Sequence, residues 1–198
     1  MSDGLEQLSR LLSEQGGLLA SLLANGGATT FLAADGTSAA TNSAATNAGG
    51  TPTATNGAGP AQLAASGPRT VGRAAEYELL LEAIYEGYLL HYGAPRLLRP
   101  PEADLGLLAG DQLYALGLAR LVALGDLPAV AELADVITLT ALAHGAGRDD
   151  LARAIWSAGA RAVGWGPSER HRQAKALARS GEPAALEAMF AAAQPDLS

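Results

Sequence analysis

Leucines recur at Leu5, Leu8, Leu12, Leu19 and Leu22, with Gln15 completing the series. Steps of three, four and seven place them on one seam of a short helix. Gly16 and Gly17 interrupt the seam, each at a cost of about 1 kcal/mol relative to alanine. A helix this short is marginal alone in water, so the seam needs a surface to pack on. Residues 1–25 are expected to form an amphipathic docking helix, seated on the same chain or on a partner.

Residues 26–70 lose the pattern. They are Gly, Ala, Thr, Asn and Ser with Asp35 and Arg69 as the only charges, and Ala-Thr-Asn recurs at 40–42, 45–47 and 54–56. Such a tract has too little apolar surface to offset its ordering entropy, so a disordered linker is expected. A flexible coil of that length spans roughly 35–40 Å on average.

From residue 71 to 198 helical spacing returns, over 73–92, 104–124, 127–144, 149–163, 168–180 and 182–194. Gly93-Ala94-Pro95 and Pro100-Pro101 end the first of these stretches, because proline restricts the residue before it and lacks an amide donor. Gly125-Asp126, Gly147-Arg148-Asp149 and Gly181-Glu182-Pro183 each put glycine where a helix can stop and an acid where the next can start. No stretch alternates β-branched and polar residues. The fold class expected is all-α, an antiparallel helical bundle.

The 104–124 stretch is apolar nearly all round, as is 127–144, which predicts central helices covered on most sides. Two adjacent helices of this kind carry more apolar surface than a small monomer hides, so an interface with a partner or a second copy is expected. The 73–92 stretch differs. Tyr77, Leu80, Leu81, Ile84 and Tyr88 form an apolar stripe, while Glu78, Glu82 and Glu86 recur every four residues. Like charges at that spacing repel. Either the row is a solvated acidic face or a cation relieves it. The tyrosines clustered from Tyr77 to Tyr92 read as packing residues.

Composition narrows the function classes. The 198 residues carry a net charge of −7 and no cysteine, which argues against a nucleic-acid surface and excludes thiol catalysis and cysteine zinc sites. Lys175 is the only lysine among 13 basic residues, a bias typical of GC-rich bacterial genomes. The acidic start does not resemble a secretory signal. Residues 16–34 hold four glycines, an asparagine and two threonines, a poor membrane span. A cytoplasmic protein without a transmembrane segment is expected.

Catalytic patterns are missing. There is no Gly-x-Ser-x-Gly elbow and no phosphate loop, and His91, His144 and His171 lie far apart. Glu132 with Asp135, and Asp149 with Asp150, are the carboxylate pairs. Asp149-Asp150 starts a helix, where acids complement the dipole. No metal or cofactor is expected.

One segment resembles a known family. Leu107-Leu108-Ala109-Gly110-Asp111-Gln112-Leu113-Tyr114-Ala115-Leu116, followed by Leu124-Gly125-Asp126 and Ala131-Glu132-Leu133-Ala134, is similar to the Leu-Ala-Gly-Asp helix of trans-polyprenyl diphosphate synthases. His91-Tyr92-Gly93 resembles that superfamily's Tyr-Gly segment. The likeness covers roughly residues 75–143. The Asp-rich metal motifs of the active members are absent: Glu82-Ala83-Ile84-Tyr85-Glu86-Gly87 stands near the first, and Gln112 replaces an aromatic residue.

A better fit than an active member is therefore the non-catalytic small subunit, component one, of two-component heptaprenyl-type synthases, which the chain resembles. That resemblance implies a truncated isoprenoid-synthase-like bundle paired with a catalytic trans-prenyltransferase. Leu5, Leu8, Leu12, Leu19, Leu22, Leu105, Leu108, Leu113, Tyr114 and Leu116 are the candidate interface. Gly110 and Asp111 are the motif positions, Asp111 as a buried, hydrogen-bonded acid. The alternative is a repeat-like helical adaptor, because residues 121–134 and 176–189 share a helix–Gly–acid–Pro–helix plan.

Overall fold

The computed structural model describes residues 2–23 and 59–195, all-α apart from an isolated bridge between Leu23 and Leu98. The expected linker lies outside the described residues up to position 58. Its far end does not follow the expectation: α3 (Pro60–Ala65) and a 3₁₀ turn (Pro68–Thr70) belong to the folded body. Proline starts both, where a missing amide donor does no harm. Gly67 lies against the backbone of Gly164, so closely that a β-carbon would overlap it. Arg69 donates to the Val163 carbonyl at 2.7 Å and to Asp126 at 3.1 Å. The folded domain thus begins about ten residues earlier than periodicity implied, because this join depends on glycine contacts and one arginine.

The remaining elements are α1 (Asp3–Gln15), α2 (Gly17–Ser21), α4 (Ala74–Tyr92), α5 (Ala103–Ala123), α6 (Leu127–Gly145), α7 (Asp149–Trp165), α8 (Glu169–Arg179) and α9 (Ala185–Ala193). Three connections repeat one turn. Gly125, Gly147 and Gly181 adopt positive φ, and the next amide reaches back to the carbonyl of Leu121, Ala143 or Leu177, respectively. This is the Schellman closure, which satisfies carbonyls the helix leaves open. Four residues after each glycine sits a buried Ala129, Leu151 or Ala185, and eight after it a buried Leu133, Ile155 or Met189. The three helix starts share one register.

Two helices organise the core. α4 packs against α1, α3 and α5, and α7 packs against α3, α6 and α9. Leu151, Ala154, Ile155, Trp156, Ala158, Gly159, Ala160, Ala162, Val163 and Gly164 are all buried along α7. Its small residues allow neighbours close on several sides, so this Ala- and Gly-rich helix takes the enclosed place expected of α5. α5 and α6 reach a mean hydropathy of 1.2 and 1.3, with only 33% and 39% of those windows buried. They pass a length-and-composition test for membrane spans, yet each packs one face on the bundle as a core helix does.

Candidate functional site

The N-terminal seam is occupied within the chain. Leu5, Leu8, Leu12, Leu19 and Leu22 form one cluster with Ala83 of α4, Leu97 and Leu98 of the following loop, and Ala109 and Leu113 of α5. The Leu22 carbonyl accepts from the Arg99 amide at 2.7 Å. Five of the expected interface residues are therefore intramolecular core, and Leu113 joins them. Docking is in cis.

This docking also settles the acidic row on α4. Glu78 accepts from the Gly4 amide at 3.2 Å, and Glu82 from the Ser2 hydroxyl at 3.0 Å. The Arg96 guanidinium meets Glu82 at 2.6 Å and Glu86 at 3.3 Å. Glu86 is fully buried and also accepts the amides of Arg96, Leu97 and Leu98. A carboxylate with this many donors is compensated for burial. A solvated face is thus excluded, and the relieving cation comes from the chain's own Pro-flanked loop.

Glycine decides which side of α5 turns inward. Gly106, Gly110 and Gly117 are buried along with Ala109, Leu113 and Leu121. A β-carbon on Gly110 would stand 2.7 Å from the His91 ring, and one on Gly117 would stand 2.4 Å from Ile84. Small residues let α4 and α5 approach closely, which leaves bulkier side chains on the other side. Leu108 is 50% exposed and Val122 is 52% exposed, with exposed Gln112, Ala115 and Ala119 between them. Steps of four, three, four and three make these five a coiled-coil seam without a partner among the described residues. Leu105, Tyr114 and Leu116 are half-buried, flanking rather than lining the seam.

Gly110 is buried against His91 and Gly87, whereas Asp111 is not the buried, hydrogen-bonded acid expected. Its side chain is 70% exposed, with His91 Nε2 3.2 Å away and out of hydrogen-bond alignment. An outward-turned helix face carries the acid into solvent.

Sequence spacing hid the companions of the histidines. His144 Nδ1 meets Asp149 at 3.0 Å across the Gly147 turn, and Tyr88, 56 positions away, reaches Nε2 at 2.9 Å. Burial pushes the Tyr88 phenol up to about 12, and the direction of its hydrogen bond with Nε2 follows the tautomer of His144. Tyr92 stacks on His144 at 4.4 Å, while Tyr85 and Tyr88 pack around Trp156. These tyrosines are packing residues. His171 meets Glu132 at 2.5 Å, and Lys175 bridges Glu132 and Asp135 at 2.7 and 2.9 Å. The i, i+4 spacing of His171 and Lys175, and the i, i+3 spacing of Glu132 and Asp135, were the available signal.

Among the described residues, no three His, Asp or Glu side chains converge where a metal ion could sit. The arrangement that remains is an apolar seam on a rigid helix, which can receive another helix. No known protein family, curated protein or solved structure matches the chain.

Proposed function

We propose that this chain is a non-catalytic, regulatory partner subunit that receives a helix of another protein along the outer seam of α5. The observation that carries the reading is the exposed heptad spacing of Leu108, Gln112, Ala115, Ala119 and Val122. Alanines at its centre admit a close helix, and Leu108 and Val122 supply the apolar ends. Gln112 offers a polar position that fixes register, as a polar residue inside such a seam does. The Leu-Ala-Gly-Asp resemblance makes the partner a catalytic trans-prenyltransferase of polyprenyl diphosphate synthesis, in a bacterial cytoplasm.

The test mixes the full chain with a catalytic trans-prenyltransferase from the same genome. Co-elution with a changed product length supports the reading, and a Leu108→Glu, Val122→Glu double variant should lose both. Independent elution with unchanged products ends it.

A second reading is a repeat-like adaptor for an unrelated protein. The shared register after Gly125, Gly147 and Gly181 favours it, since Gly147 and Gly181 stand one 34-residue tetratricopeptide period apart. The identity of the captured protein separates the two readings: an adaptor captures a partner that is not a prenyltransferase.

A further inference from the structure

The strongest unused feature lies where α7, α8 and α9 meet. A cleft of about 170 Å³ is lined by Arg161, Trp165, Ser168, His171, Ala192 and Gln194 among others, with no acidic side chain on its walls. Ser168 caps α8, its hydroxyl accepting from the His171 amide at 3.1 Å. The eleven-residue α8 therefore turns its positive dipole end toward this corner. The Arg161 guanidinium lies 4.8 Å from the Trp165 ring centroid. Among the described residues Arg161 has no carboxylate partner.

His171 supplies the independent observation. Its side chain is only 3% exposed, and Nε2 is committed to Glu132. Glu132 is itself held by Lys175, so the ring cannot turn without breaking a buried pair. Nδ1 is left buried and has no hydrogen-bond partner. A buried polar atom without a partner is costly and points to a role. The cleft wall lacks acids, and the carboxylates beside it are taken up, Glu132 by His171 Nε2 and Lys175, and Glu169 by Arg172, so the complementary ligand is an anion.

We infer that this cleft is a binding site for a small phosphate group, free or on a small molecule. Near neutral pH inorganic phosphate carries both an O–H and charged oxygens. It can thus meet Nδ1 of His171 in either protonation state, while Arg161 and the start of α8 take the charge. The site is independent of the α5 seam, and of which protein docks there.

The experiment titrates inorganic phosphate into the isotopically labelled full chain and follows amide and histidine-ring NMR signals. Saturable shifts confined to residues 165–171 and Gln194 are expected, with half-saturation at about 1 mM, the scale of one anion held by a few hydrogen bonds. Arg161→Gln should weaken binding about tenfold, since it removes a charge-assisted contact. His171→Gln keeps an amide donor for Glu132 and removes the Nδ1 position, so it should weaken phosphate by a similar factor. Among the described residues Arg161 has no ion pair, so its variant is expected to fold and to stay informative even if His171→Gln unfolds. A glucose 6-phosphate arm tells a free from an esterified ligand: the tighter of the two identifies the natural form. Linear, unsaturated shifts spread over the surface, or an Arg161→Gln variant that binds as the parent does, overturn the site.

Discussion

Gly110 of α5 faces Gly87 of α4 so closely that a β-carbon on either would stand about 3 Å from the other's carbonyl oxygen (3.1 and 2.9 Å). A β-carbon on Gly110 would meet the His91 ring at 2.7 Å as well as this backbone oxygen, and the oxygen cannot swing aside as a side-chain tip can. Gly110→Ala should therefore cost about 1–3 kcal/mol, the usual range for overpacking. Urea unfolding of the two proteins measures it; equal midpoints would mean that α5 shifts freely on α4.

Glu86 is the anchor of the loop after α4. Replacing it with glutamine turns one of its two acceptor oxygens into a donor, facing either the amides of Leu97 and Leu98 or the donors of Arg96, and removes the charge opposite Arg96. Glu86→Gln should lose about 3 kcal/mol, as expected when one partner of a buried charged network is removed. Hydrogen exchange should locate the loosening at residues 96–99 and at α1 and α2, which rest on that loop.

The two leucine sets should behave oppositely. Leu8 and Leu12 are fully buried, so Leu8→Ala or Leu12→Ala should cost about 2–5 kcal/mol. Leu108 and Val122 face solvent, so Leu108→Glu and Val122→Glu should change monomer stability by about 0.5 kcal/mol or less. Thermal denaturation of the four single variants checks the contrast.

Stability should form a plateau in pH with a falling limb at each end. Burial pushes Glu132 up, but the hydrogen bonds and charges of His171 and Lys175 outweigh it and hold the carboxyl below 4.5. Burial likewise opposes Tyr77, Ala129 and Arg69 at Asp126, which ends below 3.8. Each depressed acid contributes stability that is complete above its ordinary value and lost as pH falls through its folded value. At the other end, burial and the Asp126 hydrogen bond push Tyr77 up to about 12 from 10.0. Its contribution is complete below the ordinary value and lost as pH rises toward the folded one. Burial lowers Lys175, but Asp135 and Glu132 outweigh that and raise it above 10.5, so its contribution too disappears with rising pH. Denaturant midpoints from pH 3 to 12 trace both limbs, and Glu132→Gln should flatten the acid one.

Helix limits were legible because glycine and proline punctuate them: 127–144 became Leu127–Gly145, and 73–92 became Ala74–Tyr92. Depth in the fold was not. A helix apolar nearly all round reads as central, yet it is α7 that is enclosed, because its side chains are small, while α5 is pressed onto α4 by its glycines. The acidic row on α4 announced a need for a cation, but not that Arg96, ten residues beyond Glu86, would supply it. The partners of His144 and His171 depended on pairings 56 and 39 positions apart, which no local pattern encodes. Of the expected interface, Leu108 alone lies on the exposed seam; the flanking pattern of Gln112, Ala115, Ala119 and Val122 was present in the sequence but hidden in a helix apolar on every side.

The placement of α1 and α2 also has a consequence for how the protein is made. The groove that receives Leu5, Leu8, Leu12, Leu19 and Leu22 is built from Ala83, Leu97, Leu98, Ala109 and Leu113, all of which leave the ribosome later. During synthesis the first leucines must wait, uncovered, until α4 and most of α5 have emerged. A chaperone that shields nascent chains has its longest opportunity there, and a ribosome stalled before Leu113 has emerged would present those leucines to it.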